Sequence, residues 1–217
     1  MTFLTDGETD AVRWDYRTLD LRARAVAAAL RHANIKVGER ALLLYPPGLE
    51  FVAGFIGCLY AGVIAVPAYP PRSAEQERAL PRLRGILADA RPSVILTSSR
   101  SLYTVRECVA AAWPDGSNLP VSLDTEILLD ASACEWHQPH GITTDSVAVL
   151  QYTSGSTSSP KGVVLTHANL LHNCAVIREA FGHTVDSRGV YLRRRIHPAG
   201  CGRRKRHRAV NNRRRGG

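Results

Sequence analysis

Residues 51–69 carry no charged side chain, and this nineteen-residue stretch constrains the fold more than any other part of the sequence. Its length just suffices for a helix to cross a bilayer. Gly54, Gly57, Gly62 and Pro67 interrupt it, and residues of that kind break up one long helix. Leu49, Val52, Ala53, Ile56 and Leu59 recur at helical spacing, which predicts a helix over 49–61 that ends at Gly62. Val63-Ile64-Ala65-Val66-Pro67 then reads as a strand, and Ala41–Tyr45 as another strand ahead of the Pro46-Pro47-Gly48 turn. The stretch is therefore expected to be a buried strand–helix–strand unit and not a membrane span, with Gly54 and Gly57 allowing close approach to a sheet.

The same alternation continues on both sides. Asp15 is placed to cap a helix whose face carries Leu19, Ala23, Val26, Ala27 and Leu30. A helix dotted with Arg and Glu is predicted from Ala74 to Ala90, with Pro81 as a kink or internal boundary. Val94-Ile95-Leu96 reads as a short buried strand and Ser101–Ala112 as a helix. Residues 114–146 read as loop-rich, with a strand at 120–123. Strands at 147–152 and 162–165 and a helix from His167 to Phe181 complete the pattern. Strands and helices in alternation predict an α/β domain, a mostly parallel sheet with helices on both faces.

Between the last two strands lies Tyr152-Thr153-Ser154-Gly155-Ser156-Thr157-Ser158-Ser159-Pro160-Lys161-Gly162-Val163, in which six small hydroxyls surround a glycine and a lysine closes the run. Backbone N–H groups and hydroxyls of such a loop can donate to polyphosphate oxygens, and Lys161 can offset their charge. The pattern is neither G-x-x-x-x-G-K-[ST], because Pro160 and Gly162 flank Lys161, nor G-x-G-x-x-G. The plain alternative is a Ser/Thr-rich turn between two strands.

The run resembles the phosphate-loop signature of the adenylate-forming (acyl-activating, AMP-binding) superfamily, Y-T-S-G-[ST]-T-G-x-P-K-G-V. Eleven of its twelve residues fit, Ser158 standing where glycine is commoner. Pro46-Pro47 and Ala65-Val66-Pro67-Ala68-Tyr69-Pro70-Pro71, together with Phe3-Leu4-Thr5-Asp6-Gly7-Glu8 and the helix at 16–31, are similar to the fatty acyl-AMP ligase branch. The likeness extends from about Phe3 to about Gly189.

The resemblance implies a partial N-terminal lobe, residues 1–187, of an enzyme that joins a fatty acid to ATP, releasing pyrophosphate and leaving an acyl-adenylate for lipid or polyketide biosynthesis. It implies that Thr153, Ser154, Gly155, Ser156, Thr157, Lys161 and Gly162 hold the β- and γ-phosphates. Mg²⁺ is expected with the ATP, without identifiable ligands here. The branch usually passes the acyl group to a carrier protein or polyketide synthase. The family's catalytic lysine, in a small C-terminal lid, is expected outside this chain, so the chain alone is expected to form little or no acyl-AMP. An acyl-CoA synthetase fragment and a non-catalytic ATP- or phosphate-binding module stay open as alternatives.

Residues 188–217 break the pattern with eleven arginines, one lysine and no acid, against a net charge of +9 for the whole chain. That composition cannot bury enough apolar surface to order itself. One reading is a basic arm that contacts nucleic acid or anionic lipid. The other, which the ratio of 25 Arg to 3 Lys in the whole sequence favours, is an out-of-frame tail from GC-rich DNA. No specific nucleic-acid partner is assigned. The start lacks a basic, apolar leader, and Cys58, Cys108, Cys134, Cys174 and Cys201 form no C-x-x-C pair, which together read as cytoplasmic. Cys134, His137 and His140 have a metal-compatible spacing without an obvious fourth ligand. A polar surface loop is the simpler reading, and no metal site is assigned.

Overall fold

A computed structural model of the protein describes residues 1–5, 11–70, 76–113, 118–128, 130–153 and 161–187. The chain divides into two units, Met1–Leu171 and His172–Gly217. The basic segment at 188–217 lies outside the described residues.

The first unit opens with two short strands, β1 (Thr2–Leu4) and β2 (Ala11–Arg13), paired antiparallel. Helix α1 follows at Tyr16–His32, started by Asp15, whose carboxylate accepts from the Thr18 N–H at 2.7 Å. Then come β3 (Arg40–Leu44), α2 (Leu49–Ala61), β4 (Ile64–Ala68), α3 (Gln76–Ala90), β5 (Val94–Thr97), α4 (Ser99–Ala112) and β6 (Val121–Asp124). A short 3-10 helix at Asp130–Glu135 precedes β7 (Val147–Thr153), β8 (Lys161–Thr166) and α5 (His167–Ala180). Helix α5 begins with a reciprocal cap. The Thr166 N–H donates to Asn169 Oδ1 at 3.0 Å, and the Asn169 N–H donates to Thr166 Oγ1 at 3.3 Å.

Six strands form one sheet in the order β6-β5-β3-β4-β7-β8, parallel throughout except for the antiparallel β7–β8 pair. Alternate residues of the central strand β3 serve opposite faces. Leu42 and Leu44 pack with Val66 and Ile95 under Leu83, Ile86 and Leu87 of α3 and Val105 and Val109 of α4. Ala41 and Leu43 pack with Ala65, Val94 and Leu96 under Val26 and Leu30 of α1 and Cys58 of α2. Helices thus cover both faces, which is why β3 reads as an unbroken apolar run and not as an alternating one. Leu42, Leu43 and Leu44 are fully buried, each contributing about 1.5–3 kcal/mol.

The uncharged stretch resolves into α2 and β4. Among the described residues no helix is long and apolar enough to cross a membrane. Gly62, in the left-handed region at φ 67°, ends α2. The close approach expected at the α2 glycines is made to different neighbours: Gly57 lies against Val26 and the backbone of Ala23 in α1, and Gly54 lies against the Tyr45 ring. Helix α3 runs through Pro81 without ending there. Pro81 is exposed, whereas Leu83, Ile86, Leu87 and Ala90 beyond it are buried and hold the helix to the sheet.

In the second unit the described residues comprise the end of α5 and a turn in which the Phe181 and His183 rings stack at 5.8 Å.

Candidate functional site

Strand β7 runs parallel to β4, so its last residue, Thr153, lies towards the carboxyl edge of the parallel strands. Open α/β sheets bind ligands at that edge. Strand β8 returns antiparallel in a register that sets Thr153 opposite Lys161 and Tyr152 opposite Gly162. The two ends of the hydroxyl-rich segment are therefore adjacent residues of one ladder. Thr153, Lys161 and Gly162 are all exposed, which leaves the hydroxyl and the ammonium available to a ligand. Of the residues expected to hold phosphate, Ser154, Gly155, Ser156 and Thr157 lie outside the described residues.

Tyr152 forms the root of this hairpin. It is buried, and its hydroxyl donates to Asp89 Oδ2 of α3 at 2.5 Å. Burial, followed by the bond to the Asp89 carboxylate, pushes its phenol well above the usual range. Its carbonyl accepts from Arg82 Nη2, also on α3, at 3.4 Å. Its ring lies over Gly162, where an added Cβ would come within 3.1 Å of Tyr152 Cζ. Beside this contact is a depression of about 380 Å³ lined by Arg40, Asp89, Arg91, Tyr152, Gly162 and Val164. The sequence marked Tyr152 only as the first residue of the motif. It gave no sign of Asp89 or Arg82, which lie 63 and 70 residues earlier.

A second depression, about 210 Å³, is lined by Trp14, Arg22, Val26, Glu50, Ala53, Thr125 and Glu126. It contains none of the hairpin residues. Behind it the Tyr45 hydroxyl and Thr125 Oγ1 share a buried hydrogen bond of 2.8 Å. Around Cys134 the side chains are otherwise engaged. Glu135 pairs with His32 Nε2 at 2.9 Å, Trp136 Nε1 donates to the Tyr60 carbonyl at 3.2 Å, and His137 Nδ1 lies 2.9 Å from the Glu135 carbonyl. Among the described residues no three His, Cys, Asp or Glu side chains gather into a metal-binding cluster. Cys58 and Cys108 are buried, and Cys134 and Cys174 exposed.

The AMP-binding enzyme family matches over residues 1–193. A medium-chain fatty acid–[acyl-carrier-protein] ligase from Moorena producens is 46% identical over 186 residues, covering 86% of the chain and 31% of that protein. A long-chain fatty acid–AMP ligase from Mycolicibacterium smegmatis is 34% identical over 185 residues, covering 84% and 28%. Among solved structures, a fatty acyl-adenylate ligase from L. pneumophila, in complex with acyl adenylate and pyrophosphate, superposes with a TM-score of 0.71. That pair shares 35% identity over 84% of this chain and 30% of the other. The chain thus spans about 30% of the length of the relatives it matches.

Proposed function

The chain belongs to the AMP-binding enzyme family, and from that premise we propose that its β7–β8 hairpin binds the β- and γ-phosphates of ATP during activation of a fatty acid. In that reaction the fatty acid carboxylate attacks the α-phosphorus in line, the bond to the bridging oxygen breaks, and pyrophosphate leaves with that electron pair. Catalysis is then largely positioning and charge neutralisation. Lys161 would neutralise departing charge, and Thr153, Ser154, Ser156 and Thr157 would donate hydroxyl hydrogen bonds, with Gly155 and Gly162 allowing close backbone approach. What supports the reading is the register that sets Thr153 beside Lys161 towards the carboxyl edge of the sheet.

Mg²⁺ would arrive with the nucleotide and supply further neutralisation of phosphate charge. Among the described hairpin residues, Thr153 and Lys161 offer a hydroxyl and an ammonium, both able to donate to phosphate oxygens. Residues 1–187 are read as a partial AMP-binding domain, with 188–217 apart from it. The acid is read as a fatty acid, and the acyl acceptor as the phosphopantetheine of a carrier protein or polyketide synthase. The 46% identity to a carrier-protein ligase supports both assignments.

Titration of ATP and of pyrophosphate into the chain, followed by calorimetry, tests the reading. Replacing Lys161 with Ala removes one charge-assisted contact, worth about 1.5–3 kcal/mol or a ten- to hundredfold loss of affinity. Equal affinity in the parent and Lys161→Ala would refute the assignment of the hairpin.

A further inference from the structure

We propose that Asp89, with Arg82, is a positioning residue for phosphate binding: helix α3 holds the root of the β7–β8 hairpin through Tyr152 and so keeps Lys161 in place beside Thr153. The proposal rests on the phosphate-binding reading and names the residues that would fix its geometry.

Tyr152 is gripped at both ends by one helix. Its hydroxyl donates to Asp89 Oδ2 at 2.5 Å, and its carbonyl accepts from Arg82 Nη2 at 3.4 Å. The shorter, charge-assisted bond carries most of the grip. Helix α3 is itself anchored where Asp89 sits, because Arg40 of β3 donates from Nε to the Ala90 carbonyl at 2.7 Å and from Nη2 to the Arg91 carbonyl at 3.1 Å. A path of direct contacts therefore runs from the central strand through the end of α3 to the Tyr152 ring. That ring lies over Gly162, its partner across the ladder. Lys161 is the next residue, paired with Thr153.

The restraint falls where the hairpin has least support. Strand β8 is the last strand in the sheet order, and its residues from Lys161 to Val164 are exposed. Besides the ladder with β7, Gly162 also contacts the fixed Tyr152 ring. A buried phenol could satisfy its hydrogen bond on any nearby carbonyl. Pairing it with a carboxylate on the exposed side of α3 fixes the ring angle as well, since the acceptor lies off the sheet.

The test compares the parent chain with Asp89→Ala, Asp89→Asn and Tyr152→Phe. Asp89 is exposed, so folding tolerates its replacement, and Asp89→Asn keeps an acceptor for the phenol. Hydrogen exchange read without nucleotide should show faster exchange at the amides of 161–165 in Asp89→Ala and Tyr152→Phe, with β3 and β5 unchanged and Asp89→Asn close to the parent. ATP and pyrophosphate affinity should fall in those two variants, by up to about tenfold because the strength of the lost charge-assisted hydrogen bond caps what loosening can cost, and largely recover in Asp89→Asn. Unchanged exchange at 161–165, or a uniform loss of protection across the sheet, overturns the proposal. Local loosening with unchanged nucleotide affinity overturns it as well. Lys161→Ala serves as the separate control. If that variant binds ATP as the parent does, the phosphate reading fails; if it binds weakly while Asp89→Ala binds normally, only the positioning role fails.

Discussion

Replacing Gly57 with Ala tests the packing that holds the uncharged segment inside the protein. Two opposing effects set the outcome. Removing a glycine from a helix interior gains about 1 kcal/mol of helix propensity. The added Cβ, however, would stand 2.6 Å from Val26 Cβ, 2.7 Å from Val26 Cγ1 and 2.9 Å from the Ala23 carbonyl oxygen. None of these is the free end of a flexible side chain, so α1 and α2 must move apart. Val26 and Leu30 of α1 and Cys58 of α2 pack against Leu43 and Leu96 of the sheet, and separation loosens that layer. Overpacking of this kind costs about 1–3 kcal/mol, and contact with a main-chain atom puts the cost at the upper end. The net loss is about 2 kcal/mol, a fall in Tm of about 4–8 °C for a chain of this size. Thermal unfolding followed by far-UV circular dichroism measures it. Adding Val26→Ala to the Gly57→Ala chain should cost less than the same change in the parent, because it removes the Val26 Cγ1 contact, one of the three close contacts. An unchanged or raised Tm for Gly57→Ala, or an equal cost of Val26→Ala in both backgrounds, would refute the reasoning.

Two further outcomes follow from single hydrogen bonds. Tyr45→Phe removes the buried bond to Thr125 Oγ1, while Thr125 keeps its own bond to the Thr97 carbonyl at 3.3 Å. Denaturant titration should show a loss of about 1 kcal/mol. Asp15 caps α1, and its bonds to Thr18 hold its carboxyl below the usual range. The cap therefore stabilises above the pKa of the unfolded chain, and its contribution disappears as pH falls through the lower folded value. Asp15→Ala should have a lower Tm than the parent at neutral pH, and the two curves should converge in acid.

What was legible in the sequence depended on how local its cause was. The β3–α2–β4 unit was readable because burial on both faces leaves a continuous apolar signature, and α1 because Asp15 bonds a residue three places on. Helix α4 starts at Ser99 and not at Ser101 as expected. Its first residue is held from a distance, the Ser99 N–H donating to Glu126 Oε2 at 3.1 Å and the Ser99 hydroxyl to Asp124 Oδ2 at 2.6 Å. Strands β1 and β2 went unread because three residues carry no usable period and their pairing is non-local. At the site, Thr153, Lys161 and Gly162 were named from the motif, and the ladder that aligns them follows from two strands joined by a short polar span. The grip of Asp89 and Arg82 on Tyr152 was invisible, since their approach depends on how α3 lies across the sheet.

The register of β7 and β8 also limits how this hairpin can vary over evolutionary time. Lengthening or shortening the span between Thr153 and Lys161 would leave its two ends paired, but would displace the serines, threonine and glycine proposed to meet the phosphates. Slipping β8 by one residue is a different event. Side chains alternate along a strand, so the slip would turn the lysine to the opposite face of the sheet and put a side chain where only Gly162 fits beneath the tyrosine ring.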